Sequence, residues 1–327
     1  MIEVSIIIPC RNEEKFIGKC LDSIINQDYP KENLEVLVVD SASEDKTKEI
    51  IEEFKIKNLK LKIRLLDNPQ KFTPFGLNLG IKEAKGAIIM RMDSHAEYPP
   101  DYISKCVSHL EESNADNVGG VIKTQPANNS LLARAIVLVL SHFFGAASVF
   151  RLGSKKPREV DTVFGGCYKR EVFDKIGYFD ERLIRSQDIE FNKRLKKSGG
   201  KILLFPEIAA TYYPQATIRG FTRHNFQDGF WVIYPLKFGV RYFSLRHLIP
   251  LFFTTTVLIS LILGLFFFWF KAFFVLLFGS YLLIILLISF YLALKNNLKL
   301  FFILPFAFFS RHFSYGLGSL VGFFKLL

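Results

Sequence analysis

Two long apolar runs restrict what this chain can fold into more than any other feature of the sequence. Residues 249–270 and 272–294 carry no charged side chain, and Lys271 alone separates them. About 20 apolar residues cross the hydrocarbon core of a bilayer. Neither run shows the one-sided periodicity of a helix that packs on a soluble core. We therefore predict two transmembrane helices joined by a tight hairpin at Lys271.

Basic residues in the tail predict how these helices are oriented. No Asp or Glu follows Leu251, and the segment "KNNLK" at 295–299 carries two lysines. The positive-inside rule places such a segment in the cytosol if residues 1–248 are also cytosolic. The strand-like "EVSIII" directly after Met1 leads us to expect no signal peptide. The sequence thus predicts a multi-pass protein of the cytoplasmic membrane, with its larger part facing the cytosol.

Two further apolar stretches are ambiguous. Residues 300–327 are interrupted by a proline, an arginine and a histidine, so crossing, re-entry and an interfacial position all stay open. Residues 131–150 are also apolar, but Arg134 and His142 argue against full insertion. We expect residues 131–150 to form a helix at or near the membrane surface.

The first 125 residues alternate between buried strands and helical stretches. This alternation is typical of βαβ units and of a parallel sheet covered on both faces. The four cysteines show no spacing of a zinc site and no paired pattern, which suits a reducing compartment. We predict strands at 3–9, 34–40, 61–67 and 87–93, and helices at 13–27, 45–56 and 74–85.

Three of the four predicted strands end in an aspartate: Asp40, Asp67 and Asp93. Open α/β sheets bind ligands just beyond the carboxyl ends of their strands, so chemistry is expected at these carboxylates. Neither G-x-G-x-x-G nor a P-loop motif is present to bind a diphosphate. A divalent cation on a carboxylate is the alternative way to neutralise one.

The segment "RMDSH" at 91–95 could supply such a site. Residues two apart share a face of an extended segment, so Asp93 and His95 could contact one ion and Arg91 could reach phosphate oxygens. The alternative is that Asp93 caps the following turn and His95 is an ordinary loop residue.

Five segments, in this order and at these spacings, resemble the inverting family 2 glycosyltransferases. The "DSHA" variant and the "EVDTVFGGCYKREVF" block are most similar to the succinoglycan-type membrane glycosyltransferases of surface polysaccharide synthesis. The resemblance implies an α/β fold of the glycosyltransferase A type, which is Rossmann-like with a mostly parallel sheet. The segments are residues 4–30, 34–50, 78–96, 163–183 and 186–202.

The resemblance also implies roles on the nucleotide side. It assigns Pro9, Arg11 and Glu13 to the loop beside the nucleotide, and Asp40 to the uracil of a UDP-sugar donor. Capping of the following helix is the alternative for Asp40, although Ser43 and Asp45 are available as caps.

The resemblance makes Asp93 the principal acid of a D-x-D metal motif. His95 replaces the second acid, so Mn²⁺ and Mg²⁺ both stay open. Asp188 matches the catalytic base, and Gln187 stands where a Glu is common. The alternative for Asp188 is an acid favoured by the N-terminus of its helix.

Two motifs are assigned to the sugar or the acceptor. Gly165 and Gly166 would allow backbone to approach a sugar, unless they form only a turn. Gln227 and Trp231 belong to a Q-x-x-R-W-like motif in which Phe230 replaces the Arg. An amphipathic helix near the membrane is the alternative for that motif.

These expectations combine into one function. We predict a metal-dependent inverting glycosyltransferase that moves a sugar from a UDP-sugar to a polyprenyl-linked acceptor. Membrane lipid is a further expected partner, and no nucleic-acid partner is expected. A processive polysaccharide synthase and a non-catalytic sugar-nucleotide-binding scaffold are the alternatives. The predicted domains are 1–248, with a nucleotide half (1–125) and an acceptor half (126–248), and a membrane region at 249–327.

Overall fold

The computed structural model describes residues 2–145 and 148–326. The chain divides into two compact units, each built from two stretches of sequence. The first unit comprises Met1–Lys123 and Ser148–Tyr213, and the second comprises Thr124–Ala147 and Pro214–Leu327. The predicted division at residue 248 is a different one, because residues 214–248 group with the apolar helices that follow them.

A mixed sheet forms the centre of the first unit. Its order is β3-β2-β1-β4-β8-β6-β9-β5, and β7 pairs with β9. Strands β3, β2, β1 and β4 are parallel, whereas β8 is antiparallel to both β4 and β6. The strands are β1 Val4–Cys10, β2 Leu34–Asp40, β3 Lys62–Asp67, β4 Ile88–Arg91, β5 Ala96–Glu97, β6 Asn117–Thr124, β7 Arg158–Glu159, β8 Phe164–Lys169 and β9 Ile202–Tyr212.

The two faces of this sheet are covered by separate apolar clusters, as the continuous apolar strands predict. In β1, Ile6 and Ile8 belong to one cluster and Ile7 to the other. The reason is that successive side chains of a strand point to opposite faces. The predicted full burial of the third strand is wrong, because β3 lies at the sheet edge and Lys62 and Asp67 are exposed. The predicted α/β class is confirmed.

Helices cover the sheet in the first unit and make up most of the second unit. Those of the second unit are α5 and α9–α12. The helices are α1 Ile17–Ile25, α2 Thr47–Lys57, α3 Thr73–Glu83, α4 Tyr102–Glu112, α5 Leu131–Leu140, α6 Val149–Leu152, α7 Arg170–Ile176, α8 Gln187–Lys197, α9 Ile218–Ile233, α10 Ile249–Leu263, α11 Phe268–Lys295 and α12 Leu304–Phe324.

Three helical stretches are long and apolar enough to cross a membrane: Leu245–Leu263, Phe268–Lys295 and Leu298–Phe324. The predicted hairpin at Lys271 is wrong, because α10 ends at Leu263 and Lys271 lies inside α11. Lysine is a good helix former, so an isolated Lys does not end a helix. The chain turns instead after Gly264, whose backbone N–H still donates to Ser260 at 2.9 Å.

Candidate active site

The loop after β1 is joined to the segment after β2 by hydrogen bonds from backbone N–H groups to side-chain hydroxyls, at the carboxyl edge of the sheet. The Asn12 N–H donates to Ser43 Oγ at 2.8 Å, and the Glu13 N–H donates to Thr47 Oγ1 at 2.7 Å. Asn12 and Ala42 both have left-handed backbone, with φ of 56° and 55°. Such conformations are costly for a residue with a Cβ and concentrate at functional sites. The two loops therefore form one strained, interlocked rim.

Arg91 and Asp93 form an ion pair just beyond β4. Arg91 ends the strand, and its Nη2 donates to Asp93 Oδ1 at 3.0 Å. The Tyr98 hydroxyl accepts a hydrogen bond from the Asp93 backbone N–H at 2.7 Å. Burial alone would raise the pKa of Asp93, but Arg91, with His95 and Arg151, lowers it below its ordinary value. Asp93 is thus held as a carboxylate although its side chain is only 16% exposed.

Asp188 lies in the electrostatic surroundings of the same arginine. Burial would lower the pKa of Arg91, yet Asp93 and Asp188 together raise it. Asp188 is half-buried in the first turn of α8, and the residue before that helix, Ser186, has a left-handed φ of 59°. Asp93 and Asp188, which are predicted to bind the metal and to act as the base, thus both act on the charge of Arg91.

His95 pairs with Glu13 across the rim. Its Nδ1 lies 3.1 Å from Glu13 Oε1, and its ring packs edge-on against Tyr212 at 5.2 Å between centroids. Burial opposes the charge, but Tyr212 and Glu13 raise the pKa of His95 to about 10. An imidazolium has no lone pair for a metal, so His95 must release its proton before it can act as a ligand.

The donor set fits a cation that is shared with a diphosphate rather than a cation enclosed by protein. Among residues 2–145 and 148–326, no group of three or more His, Cys, Asp or Glu side chains could hold a metal ion. Mg²⁺ is commonly bound by one or two carboxylates together with substrate phosphates. The ionised carboxylate of Asp93 suits that arrangement.

Asp40 is fully buried, and its carboxylate already has partners. Oδ2 accepts a hydrogen bond from the Ser43 N–H at 3.0 Å and lies 3.5 Å from Lys48 Nζ. Ser43 lies in the loop before α2, which begins at Thr47, so Asp40 holds this loop and does not cap the helix. Asp45 Oδ1, rather than Asp40, accepts from the Thr47 N–H at 3.0 Å. The uracil contact of Asp40 stays a prediction.

The glycine pair lies within β8, so the alternative of a bare turn is wrong. Gly165 has φ +70° and Gly166 has φ +105°. A Cβ added to Gly165 would lie 2.8 Å from the Arg91 backbone oxygen. The glycine lets β8 approach the strand end that carries the site.

The other predicted residues are distributed over both units. Arg11 is exposed after β1, Pro9 is half-buried within that strand, and Gln187 is buried at the first position of α8. Gln227 and Trp231 belong to α9 in the second unit. Their contact with an acceptor stays a prediction.

Two contributors to the site were missed by sequence reasoning. Arg151, from the short helix α6, acts on Asp93 and lies 5.1 Å above the Tyr212 ring. Tyr98 contacts the Asp93 backbone. The basic run after residue 150 was the only signal for Arg151, and no pattern indicates a tyrosine that supports a strand end.

The comparison with known families settles the class. The family described as "Glycosyl transferase family 2" matches residues 5–177, which is more than half of the chain. The chain belongs to glycosyl transferase family 2. The resemblance seen in the sequence is thereby confirmed, and this family 2 protein is a glycosyltransferase.

Curated relatives of this glycosyltransferase include a sugar transferase named for a dolichyl phosphate and a succinoglycan biosynthesis protein. It is 32% identical over 268 residues to the dolichyl N-acetyl-alpha-D-glucosaminyl phosphate 3-beta-D-2,3-diacetamido-2,3-dideoxy-beta-D-glucuronosyltransferase of Methanococcus voltae, covering 80% of this chain and 82% of the relative. It is 27% identical over 216 residues to the succinoglycan biosynthesis protein ExoA of Rhizobium meliloti, covering 65% of this chain and 64% of that relative.

Solved structures share the fold. The mannosyltransferase PcManGT from Pyrobaculum calidifontis, in complex with GDP-Man and Mn²⁺, matches with a TM-score of 0.63 and 20% identity over 94% of this chain and 85% of that one. TarS 1–349 of S. aureus in complex with UDP matches with a TM-score of 0.51 and 20% identity over 71% of this chain and 66% of that one. At such identities the likeness shows the fold alone.

Proposed function

We propose that this glycosyltransferase is metal-dependent, inverts the anomeric configuration, and moves a sugar from a UDP-sugar to a lipid-linked acceptor at the cytoplasmic face of the membrane. The lipid-linked acceptor is supported by the dolichyl phosphate acceptor in the name of the Methanococcus relative and by the three apolar helical stretches. The uridine donor is supported by the complex of TarS with UDP and by the place of Asp40 at the end of β2. The complex of PcManGT with GDP-Man makes GDP donors the comparison to test.

The observation that carries this proposal is the pair of carboxylates, Asp93 and Asp188, whose charges both act on the half-buried Arg91. Arg91 holds Asp93 as an anion at 3.0 Å and also experiences the charge of Asp188. Asp93 would hold the cation, which supplies positive charge to the departing diphosphate when it is bound. Arg91 and the exposed Arg11 could donate to phosphate oxygens.

In the proposed reaction, an acceptor hydroxyl attacks the anomeric carbon from the face opposite the nucleotide. A new carbon–oxygen bond forms while the bond to the diphosphate oxygen breaks, and its electron pair leaves with the nucleotide. Asp188 takes the hydroxyl proton as the bond forms. One carboxylate base is sufficient for this single displacement, which inverts the configuration.

The test is transfer of radiolabelled sugar into lipid extract, using membranes that contain the full chain, Mn²⁺ or Mg²⁺, and panels of UDP- and GDP-sugars. We expect wild type to label the organic phase and Asp188→Asn to lose at least about a hundredfold in rate. The matched control is Asp174→Asn, because Asp174 is an exposed acid on α7 of the same unit. Transfer that survives in Asp188→Asn would overturn the assignment of the base. Donor binding without transfer to any acceptor would favour the scaffold alternative, and a long polymer product would favour the processive one.

A further inference from the structure

The second unit carries almost the whole net charge of the protein. Of the formal +11, this unit contributes eleven Lys and Arg side chains against a single acid, Asp228. The first unit is therefore close to electrically balanced. Such an excess of cations suits a phosphate-bearing partner or an anionic membrane surface, and the question is where within the unit a phosphate would bind.

One face of α9 forms a shallow cavity of about 410 Å³ with two arginines in its wall. Arg219 and Arg223 are one helical turn apart, so their side chains lie on the same side of the helix. Both are exposed, and within the described parts of the chain neither has an ion-pair or hydrogen-bond partner. The remaining lining is Ile218, Thr222 and Phe226.

The two arginines are unfavourable for the helix itself. Arg219 stands in the first turn of α9, where the helix dipole disfavours cations, and the like charges of Arg219 and Arg223, four residues apart, repel each other. No acidic residue occupies the first turn to offset them. An anionic ligand between the two guanidinium groups would remove both unfavourable interactions.

The cavity lies beside an apolar helix that could cross the membrane. Thr222 Oγ1 is 2.7 Å from Ser310 Oγ on α12. A Cβ added to Gly318 of α12 would lie 1.9 Å from the Phe226 backbone oxygen, so the two helices pack backbone to backbone. Ile218, which also lines the cavity, is 45% exposed. The lining is almost entirely apolar and suits a hydrocarbon chain, while the two exposed arginines that contribute to it carry guanidinium groups for a phosphate.

We propose that Arg219 and Arg223 bind the phosphate of the lipid-linked acceptor, with the first isoprenoid units of the lipid against Ile218 and Phe226. This inference rests on the proposed function for its ligand class, a polyprenyl phosphate or diphosphate. Guanidinium groups suit this task because they bind phosphate oxygens in pairs. The cavity belongs to the second unit, whereas Arg91, Asp93 and Asp188 belong to the first.

The experiment measures binding to the full chain in an uncharged detergent, by intrinsic fluorescence, with farnesyl phosphate as the probe. Farnesol, inorganic phosphate and phosphatidylglycerol serve as competitors. We expect farnesyl phosphate to bind wild type, and the Arg219→Gln, Arg223→Gln double variant to bind it at least about tenfold more weakly. The matched control is Arg134→Gln, because Arg134 is an exposed arginine near the start of α5 in the same unit.

Each outcome decides one point. Equal affinity of the double variant and wild type, or an equal loss in Arg134→Gln, would overturn the site. Inorganic phosphate that competes as well as farnesyl phosphate would show a simple anion site, and phosphatidylglycerol that competes equally would show a head-group site. Either result would overturn the acceptor assignment. Because the assay contains no donor, Asp188→Asn should bind like wild type, so failure of the site and failure of the transferase reaction are distinguishable.

Discussion

At the residue scale, the paired side chains Glu13 and His95 decide how the departure from the common D-x-D motif is understood. The two groups are 3.1 Å apart, and the Glu13 backbone N–H also anchors its loop by donating to Thr47 Oγ1. We expect Glu13→Gln and His95→Gln each to slow sugar transfer by a similar factor, on the order of tenfold, with the double variant little slower, because the pair acts as one unit. Rates and Mn²⁺ titrations of the four proteins test this. A weaker Mn²⁺ affinity in His95→Gln alone would instead make His95 a direct ligand.

Gly165 makes a second prediction at this scale. Ala at Gly165 would meet a left-handed φ of +70° and the Arg91 backbone oxygen at 2.8 Å, whereas Ala at Gly177 would meet only the backbone strain, with φ +78° and nothing within 4 Å. We expect Gly165→Ala to destabilise the protein by on the order of 2 kcal/mol more than Gly177→Ala, since close contact adds to the strain. Thermal unfolding of the two variants in detergent measures the difference. Equal midpoints would mean that β8 can move away from Arg91 without cost.

Only some of these residues could be placed in the site from the sequence, and the reason is physical. Asp93 and Asp188 follow or begin regular elements, so their positions could be argued from strand ends and helix starts. The pairing of His95 with Glu13 could not, because it joins residues 82 apart in the chain. Arg151 acts on Asp93 from α6, a helix of only four residues, which is too short to show a periodicity in the sequence.

At the element scale, the parallel half of the sheet was predictable and the antiparallel half was not. Strands β1, β2 and β4 are continuous apolar runs because both of their faces are covered. The strand β8 contains two glycines, which lower the strand propensity of its sequence. The turn after α10 was misplaced for a related reason, since Lys271 is conspicuous in an apolar run while Gly264 is not.

The contact of α9 with α12 is the element-scale feature most open to a test. Small residues on α12 allow close approach, as in membrane helix pairs. Ala at Gly318 would place its Cβ 1.9 Å from the Phe226 backbone oxygen, whereas Ala at Gly279 of α11 would meet nothing within 4 Å. We expect Gly318→Ala to cost about 1–3 kcal/mol of stability through overpacking, and Gly279→Ala to cost almost nothing. Unfolding midpoints in detergent decide, and a Gly318→Ala protein as stable as Gly279→Ala would contradict the packing.

At the scale of the whole molecule, the uneven charge leads to a prediction about topology. The four native cysteines are buried, and burial, with neighbouring carboxylates, raises the pKa of Cys10 and Cys20 above the ordinary range of a thiol. A membrane-impermeant maleimide should therefore label them poorly, since the thiolate is the reactive form. Cysteines introduced at exposed leucines can then report their side of the membrane, with little background labelling of the native cysteines.

Three exposed leucines make a matched set for this test. Leu59 follows α2 in the first unit, Leu265 lies in the turn between α10 and α11, and Leu298 precedes α12; they are 87%, 77% and 63% exposed. Because Lys295 and Lys299 flank Leu298, the positive-inside rule assigns that turn to the cytosol. We expect Leu59→Cys and Leu298→Cys to be labelled in inverted vesicles, and Leu265→Cys in right-side-out vesicles. Labelling of Leu265→Cys and Leu59→Cys from the same side would mean that α10 and α11 do not cross the bilayer. The enzyme would then be held at the surface rather than anchored through it.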